Sequence, residues 1–167
     1  MKREAVDTSV VVAALLGWHE HHKAARSALD RVLISGRLIL PAPTLMESYS
    51  VMTRLPSPHR IAVSDAVALL EETFQHVPVI ALAADEHWSL LRRLEEKRIS
   101  GGRAYDGHIL ACARKSECGC LYTFNERDFL ALDEPDIEIV RPSQARLGDR
   151  EGGESSPCFD HALSSGS

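Results

Sequence analysis

Five short apolar runs, each followed or preceded by stretches of helical periodicity, constrain this chain more than any other feature. Strands that alternate with helices return to a parallel neighbour through a crossover, so the pattern predicts an α/β protein. The expected architecture is an α/β/α sandwich around a central, mainly parallel sheet of about five strands. Residues 3–8 read as the first strand, ending at Asp7 and Thr8, with Ser9 as the cap of a helix over Val10–Leu16. A second helix runs from Lys23 to Ile34 and is closed by Gly36. Arg37–Leu40 is the next strand, and Thr44 with Glu47 fits a capping box opening a helix to Leu55. Ser64 or Asp65 starts a helix reaching His76, Pro78–Leu82 is a strand, and Asp85–Arg98 is an amphipathic helix through Trp88, Leu90, Leu91 and Leu94. A helix over Tyr105–Lys115, a strand at Cys120–Thr123, a helical turn after Asp128 and a strand at Ile137–Val140 complete the domain, 1–142. Residues 143–167, rich in Ser and Gly and without periodicity, are expected to form a flexible tail.

The formal charge is −5, and −3 remains on the domain once the acidic tail is set aside. A protein holding nucleic acid through phosphate contacts alone is expected to be basic. The negative charge must therefore be concentrated where cations bind, or nucleic acid is not the ligand. The longest apolar stretch, Val10–Leu16, is too short to cross a bilayer, and no secretory leader is visible, so the expected compartment is the cytoplasm, with no membrane contact. Four cysteines are read as reduced thiols, some of them buried. A zinc site using His108 and Cys112 is disfavoured, since Cys118 and Cys120 lack the spacing of structural zinc ligands.

Ligands of parallel α/β sheets gather beyond the carboxyl ends of the strands. Four acids fall at such places: Asp7 after the first strand, Glu47 in the first turn after the second, Asp106 at the start of a late helix, and Asp128 after the fourth strand. Each alone has a plain explanation, because an acid near a helix start interacts favourably with the helix dipole. Four converging carboxylates would repel one another unless a divalent cation, a proton or a basic group compensated them. Mg2+ and Mn2+ suit oxygen ligands, and such ions promote phosphodiester hydrolysis. Spacing by itself does not bring the four together.

At these residues the chain resembles a PIN domain, and in particular the VapC-type toxins of bacterial toxin–antitoxin pairs. The resemblance rests on Val6-Asp-Thr-Ser-Val10, Pro43-Thr-Leu-Met-Glu47, Tyr105-Asp-Gly-His-Ile-Leu-Ala-Cys-Ala113 and Thr123-Phe-Asn-Glu-Arg-Asp-Phe129, and it covers about residues 3–142 in the family's order. It implies a metal-dependent endoribonuclease with Asp7 and Asp106 as principal Mg2+ or Mn2+ ligands. Glu47 would help bind the metal or its water, and Asp128 would complete the cluster, although Glu126 in the same loop competes for that role. Thr8 or Ser9 and Thr123 would orient the carboxylates through their hydroxyls, with Asn125 as a supporting polar residue. RNA, a VapB-like antitoxin and a second copy of the chain are the implied partners.

Other residues have plainer readings. Arg98 and Arg103 belong to a basic stretch that is either a solvated helix face or an RNA phosphate track towards Asp106. His19, His21, His22 and His59 are expected as exposed loop residues, and Trp18 and Trp88 as buried or interface anchors. Competing functions are a DNA-directed nuclease, since carboxylates do not read sugars, and a catalytically idle binding module. A phospho-acceptor switch on Asp7 would want a lysine beside the acids, and none stands near them in sequence.

Overall fold

The computed structural model describes residues 2–143; of the expected tail, all but residue 143 lies outside them. Five strands, β1 (Arg3–Val6), β2 (Leu38–Pro41), β3 (Val79–Ile80), β4 (Cys118–Tyr122) and β5 (Glu138–Val140), form one sheet in the order β3-β2-β1-β4-β5. Every pairing is parallel. The helices are α1 (Thr8–Leu15), α2 (His22–Ile34), α3 (Ala42–Arg54), α4 (Val63–Phe74), α5 (Ala84–Glu96), α6 (Arg103–Lys115) and α7 (Glu126–Leu130).

Side chains alternate across a strand, and here both faces are buried. Val6, Leu38, Leu40 and Tyr122 join α1 to α4 in one core. Ala5, Ile39 and Leu121 face the other way and pack with Ile109, Leu110 and Ala113 of α6 and Phe129 of α7. The sheet thus lies between two helical layers, as expected. Gly36 takes φ +67°, the left-handed conformation that ends α2.

Three local expectations are corrected. Asp7, not Ser9, is the N-cap of α1: its carboxylate accepts from the Val10 amide. Thr44 caps nothing, because α3 already begins at Ala42 with Pro43 in its first turn, a position where proline costs no hydrogen bond. Its buried hydroxyl instead donates to the Val6 carbonyl at 3.3 Å. In α5 only Leu94 is fully buried; Trp88 and Leu91 stand 64% and 54% exposed. That helix meets α6 edge-on, at Gly107, where a Cβ would come within 2.8 Å of Leu94.

Cys112 and Cys118 are free and buried, and burial pushes their thiols up to about 11 and about 12, so both stay protonated. No helix among the described residues is long and apolar enough to cross a membrane.

Candidate active site

Chain direction across the sheet reverses at β1, whose successors lie to one side (β2, β3) and then to the other (β4, β5). A crevice opens beyond the strand ends at such a switch point. Asp7 follows β1 directly and Thr123 follows β4 on the adjacent strand, so both enter that crevice. The Asp7 side chain is buried and accepts from Ser9 Oγ at 2.7 Å, Thr123 Oγ1 at 2.7 Å and the Val10 amide at 3.0 Å. The two hydroxyls are themselves held, since Ser9 Oγ accepts from the Phe124 amide and Thr123 Oγ1 from the Asn125 amide.

Glu47 arrives from α3 and accepts from Thr8 Oγ1 at 2.6 Å. With α3 starting at Ala42 it lies beyond the first turn, so the helix-dipole explanation does not apply to it. Asp106 does occupy the first turn of α6. Asp7, Glu47 and Asp106 line one cavity of about 410 Å³ with Thr8, Ser9 and Asn125. Asp128, exposed on α7, is not part of that lining but repels Asp106 from nearby. Its rival Glu126 is engaged elsewhere, in an ion pair with Arg141 at 2.7 Å.

Burial pushes the Asp7 carboxyl up to about 6 against the pull of its three hydrogen bonds, and the Glu47 charge adds to the rise. Burial also takes Asp106 to about 6, helped by Asp128, Asp7 and Glu47, while Arg103 works the other way. Two carboxyls near their protonation point therefore face one cavity with no cation among them strong enough to cancel their repulsion. The donor set, all carboxylate and hydroxyl oxygen, matches a hard dication. Among the described residues, however, no three His, Cys, Asp or Glu side chains are drawn together as a formed metal site.

Arg103 is exposed and close enough to Asp106 to act on its charge. Arg98, also exposed, follows the end of α5 with φ +53°. Two other cations of that stretch are occupied: Arg93 pairs with Glu134, and Lys97 donates to the carbonyls of Leu132 and Asp133. His19 and His21, expected as plain loop residues, line the cavity beside the acids. Trp18 is half-exposed rather than buried. The pattern that might have flagged them, three histidines in a four-residue break between helices, is equally that of a solvated turn.

Thr123→Val keeps the shape of the side chain but withdraws the hydrogen bond to a buried carboxylate and the acceptor of the Asn125 amide. The expected loss is about 1–3 kcal/mol in thermal or urea unfolding. A change within a few tenths of that unit would mean that the Asp7 carboxylate does not depend on Thr123.

The PIN-domain family profile matches residues 5–135. Ribonuclease VapC40 of Mycobacterium tuberculosis is 42% identical over 105 residues, which are 63% of this chain and 74% of that protein. Ribonuclease VapC27 of the same organism is 36% identical over 111 residues, 65% of this chain and 75% of that protein. Among solved structures, VapC20 of Mycobacterium tuberculosis, described as a sarcin–ricin loop cleaving toxin, superposes with a TM-score of 0.61 at 21% identity, covering 77% of this chain and 94% of that one. DNA-bound VapBC from Salmonella typhimurium gives 0.59 at 22% identity, covering 84% and 98%. The profile match over most of the described residues and the two ribonuclease relatives establish the family: this chain belongs to the PIN-domain family and, within it, to the VapC-like proteins.

Proposed function

We propose that the chain is an endoribonuclease that hydrolyses RNA phosphodiester bonds at the carboxylate cavity with the help of Mg2+ or Mn2+, and that it is the toxin of a toxin–antitoxin pair. The observation that carries this is the meeting of Asp7, Glu47 and Asp106 at one cavity, with two of the three carboxyls raised to about 6 by burial and mutual repulsion. Relatives at 42% and 36% identity bear the name ribonuclease and support RNA as the substrate.

Asp7 and Asp106 would be the principal metal ligands, with Glu47 and Asp128 completing the charge. A hard dication bound there supplies Lewis acidity and neutralisation to a phosphodiester. The protein's own part is positioning. Thr123 and Ser9 fix the Asp7 oxygens and Thr8 fixes Glu47, which would help to hold the metal or its water. Arg103 and Arg98 are exposed cations, Arg103 close enough to act on the Asp106 charge, and both would contact RNA phosphates. A VapB-like antitoxin, reaching the acids with a basic side chain, would block the same cavity; the active species would be a cytoplasmic homodimer.

Incubating the purified chain with single-stranded RNA and, separately, single-stranded DNA tests this reading. RNA cleavage is expected with Mn2+ or Mg2+ and none with excess EDTA. Cleavage that ignores EDTA, or a preparation that cuts DNA and spares RNA, would remove it.

A further inference from the structure

Three separate connections bring aromatic rings to the lip of the carboxylate cavity. The turn between α1 and α2 supplies Trp18, His19 and His21, the α3–α4 connection supplies His59, and the turn after β4 supplies Phe124. The rings form a continuous row. His59 lies 4.2 Å from Trp18 between centroids, Trp18 lies 6.1 Å from His19, His19 lies 5.7 Å from His21, and His21 stacks on Phe124 at 4.5 Å. Arg141 closes one end with its guanidinium 5.3 Å above the Phe124 ring. His19, His21 and Phe124 line the cavity that holds Asp7 and Asp106, so the row starts at the acids and runs outward to a Trp18 that is 50% exposed.

We propose that this row is a stacking platform for the unpaired bases that flank the scissile phosphate. The proposal rests on the ribonuclease reading and deepens it. Rings in series with a cation at the end are what single-strand binders present, because every base has a π-face whatever its sequence. Duplex RNA keeps its bases inside the stack and offers none to such a row. An overall charge of −5 leaves little general attraction for phosphate, so stacking has to supply affinity that charge does not.

Binding is measured in EDTA, where hydrolysis plays no part, in a Trp88→Phe background that leaves Trp18 as the only indole of the two in the sequence. A short unstructured RNA should quench Trp18 fluorescence. Trp18→Ala should bind the same RNA roughly tenfold or more weakly, while Trp18→Phe keeps most of the affinity. A strand of abasic ribose phosphates should bind the native chain and Trp18→Ala alike. Native-like RNA affinity in Trp18→Ala, or saturation without quenching, overturns the platform and leaves the row as a surface for a protein partner. Cleavage by the native chain with Mn2+ is scored separately. If cleavage persists while Trp18 proves indifferent, the platform falls and the ribonuclease reading stands; RNA bound through Trp18 but never cut sustains the platform and removes that reading.

Discussion

Asp106→Asn is expected to abolish RNA cleavage and at the same time to make the metal-free protein more stable near neutral pH. If Asp106 holds the metal as proposed, its loss would withdraw several kcal/mol of transition-state stabilisation, which corresponds to about a thousandfold in rate. The stability gain follows from the same carboxyl. Its pKa is about 6 in the fold against an ordinary value of 3.8, so between those values the folded chain holds more protons than the unfolded one. The group's contribution is therefore full below about pH 4 and lost as pH rises through about 6. Asp106 is only half-buried, so solvent screening reduces the penalty at neutral pH to on the order of 1–2 kcal/mol. Asparagine removes the charge and keeps the shape, which should raise the melting temperature by roughly 2–6 °C in EDTA. Below about pH 4 the two proteins should melt together. Equal melting temperatures near neutral pH would show that neither burial nor the neighbouring acids disfavours the Asp106 charge in the free protein. Asp7→Asn should give no such gain, because its carboxylate accepts three hydrogen bonds and caps α1.

Much of this arrangement is visible in sequence because parallel sheets impose strong patterns. The alternation of short apolar runs with helical periodicity predicts the layers, and an acid directly after a central strand has nowhere to point except the crevice. What escaped is set by details of order or by distant convergence. Proline is tolerated in the first turn of a helix, so Pro43 moved the start of α3 ahead of Thr44 and carried Glu47 out of the first turn. The choice between Glu126 and Asp128 depends on Arg141, which arrives only after the last strand and takes Glu126 into an ion pair. The ring row combines three connections far apart in the chain, and each contributes only one to three residues with no periodicity of their own. For α5, an apolar face at helical spacing predicted burial, but the helix is covered along one edge alone, which leaves Trp88 and Leu91 in solvent.

The unusual charge in the first strand leads to the second large effect: Glu4→Ala should cost about 3–5 kcal/mol of stability. Glu4 is fully buried at the centre of the sheet. One carboxylate oxygen lies 2.5 Å from the Arg37 guanidinium, whose side chain is only 15% exposed. The other accepts from the Tyr122 hydroxyl at 3.1 Å, and that hydroxyl in turn accepts from Arg31 at 3.3 Å. The network ties α2 and the start of β2 to β1 and β4, next to the strand ends that carry Asp7 and Thr123. Alanine withdraws the carboxylate from both groups and leaves a hole, so a fall of roughly 6–20 °C in melting temperature is expected. Glutamine retains an acceptor for Tyr122 but not the charge facing Arg37, and should fall between alanine and the native residue. A well-packed apolar pair, Glu4→Leu with Arg37→Met, should recover part of the loss, because the two charges are removed together while the buried Tyr122 hydroxyl still loses its Glu4 acceptor. Cleavage per folded molecule should be unchanged in that double variant, since neither residue lines the cavity. A loss below about 1 kcal/mol for Glu4→Ala would contradict the buried ion pair itself.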